Sequence, residues 1–133
     1  MLEAARNKLE EAGLRGVELR EGGASALPLA DGEVDAAVAH MVVQYLASPA
    51  EALREMARAV RAGGVVVVVD FLHHEHEWMR QELGVTWLGF TPDEITAWFA
   101  DAGLVSLRIE TEAAAPGGRD LPATFIASGR RPR

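Results

Sequence analysis

The chain has 133 residues, of which 49% are hydrophobic and 25% are charged, with a formal net charge of −7 and no cysteine. This length and balance predict one soluble domain that buries about two-thirds of its unfolded surface, and the lack of cysteine excludes disulfides and thiolate metal sites. The acidic charge argues against a nucleic-acid partner, because phosphate recognition needs a cationic surface. No apolar run reaches the roughly 20 residues of a membrane span, so we expect a cytoplasmic protein with no membrane partner.

The first third of the chain predicts a helix and two strands. A helix is expected over residues 2–12, where apolar residues share one face and Gly13 follows as a stop signal. Apolar and polar residues alternate over 17–20, which predicts a short strand. A loop rich in glycine, alanine and proline covers residues 22–32. Residues 35–43 then predict a second strand.

The stretch from Ser48 to Asp70 predicts a helix followed by a buried strand. Ser48 can cap the helix and Glu51 completes a capping box, whereas Gly63-Gly64 is expected to end it. The five valines at 65–69 are too uniformly apolar for a half-exposed strand and predict a central parallel strand. Asp70 follows at its carboxyl end, where open α/β sheets gather their ligands.

The next segment, residues 71–90, has weak periodicity and predicts one helix at about 75–83 followed by irregular structure. Thr91 and Glu94 form a second capping box, and the helix that they begin is expected to end at Gly103.

The last elements predict an antiparallel hairpin at the sheet edge. Alternating residues over 105–109 and 123–128 predict two strands, joined by a turn at Pro116-Gly117-Gly118. Because helices and strands alternate before this hairpin, the fold class is α/β with a mostly parallel sheet.

Three histidines lie close together between residues 73 and 76. His73, His74 and His76 alternate with Glu75 and Glu77, and zinc sites use imidazoles together with a carboxylate. No second set of ligands with recognisable spacing occurs elsewhere, so a solvated surface run is favoured over a metal site, and we assign no metal.

Several motifs in one order resemble a known family. They are Met1-Leu2-Glu3-Ala4-Ala5, the Gly22–Gly32 loop ending in Val34-Asp35, Ala52–Arg58 leading into Gly63-Gly64, and the block Glu77–Arg80 through Trp87–Phe90. On these residues the chain resembles the second half of a class I S-adenosylmethionine-dependent methyltransferase. It is similar to ubiquinone/menaquinone-biosynthesis methyltransferases and to methyltransferase domains fused behind ArsR-type repressors. The resemblance implies a partial Rossmann-like sheet, mostly parallel with a C-terminal antiparallel hairpin, flanked by helices.

The resemblance also implies that part of the family fold would precede Met1. The family's glycine-rich cofactor loop and the acidic residue that ends its second strand have no counterpart here, so we interpret residues 1–133 as a single truncated methyltransferase domain without the first two strands and first helix. Three outcomes are open: the 17–20 strand pairs with the next strand, two chains pair across exposed edges, or the chain is a piece of a longer protein. We favour a truncated chain that forms a homodimer through the exposed sheet edge.

The family's site residues carry over only in part. The implied cofactor is S-adenosylmethionine, and its pocket would be lined by Gly23, Ala24, Leu27, His40 and Met41. The substrate pocket would include Tyr45, Asp70 and Trp78. No catalytic residue is assigned, although His40 is the first choice of base if the acceptor is a hydroxyl.

The implied activity is methyl transfer to a small molecule. Whether this chain is itself an enzyme stays open, because the cofactor motifs are incomplete. The alternative is a non-catalytic remnant of the family that serves dimerisation or binds another ligand. A DNA-associated regulator is disfavoured, since no helix-turn-helix precedes the domain and the charge is acidic.

Overall fold

The computed structural model describes residues 2–114 and 121–133. In chain order the elements are α1 (Leu2–Ala12), β1 (Val34–His40), a 3₁₀ helix (Val43–Tyr45), α2 (Pro49–Ala59), β2 (Val60–Phe71), α3 (Glu77–Leu83), α4 (Pro92–Asp101), β3 (Val105–Glu112) and β4 (Thr124–Arg130). The described strands form one sheet in the order β1-β2-β4-β3. β1 is parallel to β2, and β4 is antiparallel to both β2 and β3. The predicted α/β class with a C-terminal antiparallel hairpin is confirmed, but the described sheet is mixed rather than mostly parallel, because one of its three strand pairings is parallel and two are antiparallel.

Helix α2 is the main helix against the sheet. The Ser48 hydroxyl accepts a hydrogen bond from the Glu51 backbone N–H at 3.3 Å, and Pro49 occupies the first turn. Leu53 and Met56 are buried in the core that α2 shares with α4 and the sheet. A cap of this kind contributes about 1 kcal/mol to helix stability.

Helix α2 ends earlier than the sequence predicted. Val60 is already extended, with φ −82° and ψ 138°, and it begins β2. The expectation that Gly63-Gly64 ends the helix is therefore wrong, because both glycines lie inside the strand. A β-branched residue at 60 leaves the helix readily, since its side chain packs well on a pleated strand.

The glycine pair makes an irregular bulge in β2. Val34 pairs with Val60 whereas Ala36 pairs with Val65, so β2 carries extra residues between these two pairs. Gly63 has a φ of +78°, a conformation that side chains of L-residues disfavour. A Cβ at Gly64 would lie 2.6 Å from the carbonyl oxygen of Asp35 and would also meet the Val60 side chain. The bulge therefore requires glycine at both positions.

The valine run is the central strand that the sequence predicted, with β1 on one side and β4 on the other. Val66 and Val68 are fully buried beneath the helices, together with Phe125 of β4. The opposite face of the sheet is open within the described part of the chain. There Val38 is 65% exposed and Ile126 is 45% exposed.

The segment before β1 differs most from expectation. Helix α1 has the predicted bounds but none of its residues is buried. The strand predicted over 17–20 is absent, because within the described residues the only strand paired with β1 is β2 and no other strand lies beside the segment. Instead of strand pairing, residues 17–20 have ion pairs of Arg20 with Glu18 at 3.1 Å and with Glu33 at 2.8 Å. Strand β1 also ends at His40 rather than at residue 43, and the 3₁₀ helix follows.

The C-terminal elements agree with the prediction in type and order. Helix α3 begins at Glu77, two residues after the expected start, and α4 begins at the Thr91 capping box. Strands β3 and β4 pair antiparallel, with β3 at the edge. The predicted turn at 116–118 lies outside the described residues. None of the described helices is both long and apolar enough to cross a membrane.

Candidate functional site

The parallel pairing of β1 and β2 brings the carboxyl ends of both strands to one edge. His40 pairs with Val69, so that His40 and Asp70 lie at the same end of the sheet. Met41 has a φ of 55°, and its backbone N–H donates to the carbonyl of Val69 at 2.8 Å. This left-handed residue turns the chain sharply from β1 into the 3₁₀ helix.

Asp70 is fully buried at this edge and holds the 3₁₀ helix in place. One carboxylate oxygen accepts the backbone N–H of Gln44 at 3.1 Å, and the other accepts the N–H of Phe71 at 2.8 Å. Burial raises the pKa of Asp70, and these hydrogen bonds together with nearby His40 act in the opposite direction. The observed role of Asp70 is to position the chain after β1, and its contact with a substrate stays a prediction.

The Gly22–Gly32 loop, which carries the predicted cofactor residues Gly23, Ala24 and Leu27, is fastened to α2 by two charged residues. The backbone N–H of Leu27 donates to the Glu55 carboxylate at 2.8 Å, and the Arg58 guanidinium donates to the Leu27 carbonyl at 3.3 Å. Arg58 also pairs with Glu55 at 2.7 Å and with Asp31 at 2.7 Å. The hydrogen bonds from Arg58 and then from Leu27 lower the pKa of Glu55.

Glu55 and Arg58 were not singled out from the sequence. Their spacing of three residues indicates an ion pair on one helix, but it does not indicate the distant loop that the pair holds. Leu27 and Glu55 are 28 residues apart in the sequence. The pair supports the loop that carries three predicted cofactor residues only because α2 packs beside that loop.

The residues predicted to bind the cofactor lie on two segments, the loop before β1 and the end of β1 with the turn that follows it. Gly23 and His40 are exposed, whereas Ala24, Leu27 and Met41 are half-buried. Gly23 accepts the N–H of Ala26 at 3.2 Å in a tight turn, and a Cβ at Gly23 would meet nothing within 4 Å. The Gly22–Gly32 loop has one acidic side chain, Asp31, and its carboxylate is already paired with Arg58 at 2.7 Å. These residues alone therefore do not fit a complete S-adenosylmethionine site, and their contact with the cofactor stays a prediction.

The three residues predicted for the substrate pocket are dispersed. Tyr45 is 44% exposed on the 3₁₀ helix, Trp78 is half-buried on α3, and Asp70 is buried. None of them lines the open cleft of about 670 Å³ between the histidine segment and the chain before α4. That cleft is lined by His73, His74, Glu75, Glu77, Arg80, Trp87, Leu88, Gly89 and Glu94.

Backbone hydrogen bonds build the walls of this cleft. The N–H of His73 donates to the carbonyl of Phe90 at 2.9 Å, and the N–H of His74 donates to the carbonyl of Leu88 at 3.1 Å. Gly89 has a φ of +71°, and a Cβ there would lie 2.9 Å from the His73 nitrogen. The indole N–H of Trp87 donates to the carbonyl of Leu46 at 2.7 Å, which anchors this wall to the segment after β1.

His74 corrects the prediction of a solvated histidine run, because it is only 8% exposed. Its Nδ1 accepts the backbone N–H of His76 at 3.1 Å, while its Nε2 is buried without a hydrogen-bond partner within the described residues. Burial lowers the pKa of His74, with further contributions from His76 and His73. Across residues 2–114 and 121–133, no group of three or more potential ligands could hold a metal ion.

The strand order and the parallel β1–β2 pair define a Rossmann-like α/β sheet with its candidate site at the carboxyl edge. Residues 1–68 match the family model described as "Methyltransferase domain". The chain belongs to this family, and within it to the class I S-adenosylmethionine-dependent methyltransferases.

The chain is also similar in sequence to two curated methyltransferases. The chain is 30% identical over 110 residues to 2-methyl-6-phytyl-1,4-hydroquinone methyltransferase 1, chloroplastic, of Oryza sativa subsp. japonica, covering 82% of this chain and 32% of that protein. It is 33% identical over 82 residues to ubiquinone/menaquinone biosynthesis C-methyltransferase UbiE of Shewanella sp. (strain ANA-3), covering 61% of this chain and 33% of that protein. The chain thus spans about a third of the length of these relatives. The predicted likeness to ubiquinone/menaquinone methyltransferases is confirmed, whereas the ArsR-fused subgroup stays a prediction.

A solved structure agrees on the fold. Haemonchus contortus phospholethanolamine N-methyltransferase 2, in complex with phosphomonomethylethanolamine and S-adenosylhomocysteine, superposes with a TM-score of 0.81. The match covers 100% of this chain and 41% of that one, at 11% identity. At this identity the likeness supports the fold alone.

Proposed function

We propose that this chain takes part in methyl transfer from S-adenosylmethionine to a small-molecule acceptor. The observation that carries the proposal is the β1–β2 register, which brings His40 to the carboxyl edge of a sheet belonging to this family. S-adenosylmethionine supplies the methyl group, and the protein's part in an in-line displacement is to align donor and acceptor. In this proposal Gly23, Ala24 and Leu27 face the adenine.

The remaining cofactor contacts are proposed for the turn after β1. His40 and Met41 would lie beside the methionine end of the cofactor, because the chain leaves the sheet edge there. Tyr45 on the following 3₁₀ helix would face the acceptor. The buried carboxylate of Asp70 would act through the turn that it holds.

We further propose that residues 1–133 form a truncated methyltransferase domain whose cofactor site is completed by residues not in this sequence. Within the described residues the outer edge of β1 is unpaired, and Val38 is 65% exposed on the open face of the sheet. A bare edge and an uncovered apolar face are both costly in water. The coverage of about a third of each curated relative supports the same proposal.

Binding of S-adenosylmethionine to the purified chain tests this proposal. Isothermal titration should show weak binding or none for this chain, and tight binding for the same chain extended upstream by its own gene sequence to include a glycine-rich loop. In the extended protein Leu27→Asp should weaken binding, because Leu27 is proposed to face the adenine and a carboxylate there would be buried against it. Leu14→Asp, on an exposed loop residue, is the matched control.

The outcomes separate two functions. Failure of the extended protein to bind the cofactor, or the absence of an in-frame glycine-rich segment upstream, would overturn the enzyme proposal. Those results would favour the second candidate, a non-catalytic remnant that serves dimerisation. The unpaired edge of β1 is the observation that supports this second candidate.

A further inference from the structure

Gln44 is a buried polar residue whose side-chain amide is only half satisfied. It is 4% exposed, and its Nε2 donates to the carbonyl of Met41 at 3.4 Å. Its Oε1 is buried with no hydrogen-bond partner within the described residues. The Met41 carbonyl can only accept, so the amide nitrogen must face it and the amide oxygen is left over. An apolar side chain of similar size would avoid the free-energy cost of this unpaired acceptor, so stability alone does not account for glutamine at position 44.

Met41, which this amide holds, has a strained backbone. Its φ of 55° lies in the left-handed region, which residues other than glycine rarely adopt. Two hydrogen bonds hold it there, because its N–H donates to the Val69 carbonyl at 2.8 Å and its carbonyl accepts the Gln44 amide. Residues held in strained conformations cluster at ligand sites, where the surrounding structure over-determines them. The strain at Met41 therefore points to a ligand at this turn.

The backbone of Gln44 is fixed from two sides. Its N–H donates to the buried carboxylate of Asp70 at 3.1 Å, and its carbonyl accepts the N–H groups of Thr86 at 2.9 Å and Trp87 at 3.0 Å. Because the backbone of residue 44 makes these three bonds, they do not need a glutamine side chain. They give the amide a fixed base from which it reaches back three residues to Met41.

We propose that Gln44 is a positioning residue of the methyl-transfer site, and that its amide holds the left-handed turn at Met41 in the conformation that contacts the methionine end of S-adenosylmethionine. Gln44 is buried, so it acts through Met41 and does not itself touch the cofactor. The inference rests on the proposed function, in which Met41 lies beside this part of the cofactor. It assigns a role to a residue that was not singled out from the sequence.

Two ligands separate positioning from general support of the fold. S-adenosylmethionine has the methionine portion that would reach Met41, whereas adenosine lacks it. In the chain extended upstream by its own gene sequence, Gln44→Met should weaken the binding of S-adenosylmethionine by about fivefold, which is the effect of one lost hydrogen bond. Adenosine should bind the variant and the unmodified extended protein equally. Isothermal titration measures both affinities.

Stability gives a second measurement, which this chain alone allows. Methionine is close to glutamine in length and removes the unpaired Oε1, so the urea midpoint of Gln44→Met should be no lower than that of the unmodified chain. Hydrogen exchange at the Met41 amide should nevertheless accelerate. Gln81→Met makes the same chemical change at an exposed residue of α3, and should change neither the midpoint, the exchange nor the two affinities.

The outcomes distinguish this inference from the proposed function. If the unmodified extended protein does not bind S-adenosylmethionine, or if the gene has no such extension, both fail. If it binds, an unchanged affinity in Gln44→Met or an equal loss for adenosine would overturn the positioning role alone. A lower urea midpoint, or a Gln44→Met chain that does not fold, would show that Gln44 serves stability and would also overturn it.

Discussion

The backbone N–H of Gln44 donates to the buried carboxylate of Asp70 at 3.1 Å, across the edge where two parallel strands end. Replacing Asp70 by alanine leaves this N–H and that of Phe71 without their acceptor. We expect Asp70→Ala to lower the free energy of unfolding by about 2 to 4 kcal/mol, because each buried group left unpaired costs about 1 to 3 kcal/mol. Urea denaturation measures the change.

Two further variants control this prediction. Asp70→Asn keeps a carbonyl oxygen as an acceptor and should lose less stability than the alanine variant. Asp35→Ala removes an exposed carboxylate that pairs with Arg61, and should cost less than about 1 kcal/mol. A loss in Asp70→Ala no larger than that in Asp35→Ala would show that the turn does not depend on Asp70.

The lowered pKa of Glu55 predicts that the stability of the folded chain depends on pH. Its pKa is lowered from 4.5 in the folded chain, mainly by the Arg58 hydrogen bonds and then by the Leu27 N–H. A lowered acid pKa contributes stability that is fully present above the unfolded pKa and is lost as the pH falls through the folded pKa. We therefore expect Glu55→Gln to be less stable than the unmodified chain at neutral pH, with the gap closing in acid.

Urea denaturation at pH 7 and at about pH 3 compares the two proteins on either side of the unfolded pKa of a glutamate. Glu3→Gln on α1 serves as the control, because Glu3 is an exposed glutamate on another helix. Hydrogen exchange at the Leu27 amide should accelerate in Glu55→Gln and stay unchanged in Glu3→Gln. A gap that does not depend on pH would contradict the assignment of the ion pair.

Gly64 should tolerate no side chain. In Gly64→Ala the new Cβ would lie 2.6 Å from the Asp35 carbonyl oxygen and 3.0 Å from that of Arg61. Because backbone atoms cannot move aside as a flexible side chain can, we expect a loss of about 2 kcal/mol or more in thermal or urea unfolding. Gly23→Ala is the matched control, with open space around the new methyl group. Equal stability of the two variants would show that the bulge relaxes.

The proposed homodimer makes a prediction for Val38. This side chain is 65% exposed on β1, next to the edge that we propose is paired between two chains. Sedimentation velocity at micromolar concentration should show a dimer for the unmodified chain and a monomer for Val38→Lys, because a buried, unpaired ammonium disfavours association. Leu14→Lys, at a loop residue that is 59% exposed, should stay dimeric. A monomeric unmodified chain would remove the dimer from consideration.

The most accurate predictions from the sequence came from patterns within a few neighbouring residues, namely a helix cap and a run of valines. Both halves of the Thr91 capping box lie within four residues, and the structure shows the reciprocal hydrogen bonds between Thr91 and Glu94. The valine run likewise gave the central strand, since five apolar β-branched residues fit little else. Caps and continuous runs are predictable because their energetics are contained in neighbouring residues.

Features that depend on distant residues were missed or misplaced. The alternating pattern at 17–20 gave no strand, because a strand needs a hydrogen-bonding neighbour that the described chain does not supply. The burial of Asp70 depends on the turn at Gln44, which lies 26 residues earlier. The burial of His74 likewise depends on the chain before α4, where the Leu88 carbonyl accepts its backbone N–H.

The position of β4 in the sheet has a consequence for how the chain leaves the ribosome. Strand β2 is complete by residue 71, but one of its edges is paired only by β4, whose residues are 124–130. During synthesis more than fifty further residues must therefore be made before β4 can pair with β2. Until then this edge of the polyvaline strand is unpaired and can template aggregation. Ribosome profiling of chaperone-bound nascent chains should therefore show the most chaperone binding over this interval. The binding should fall once β4 has emerged.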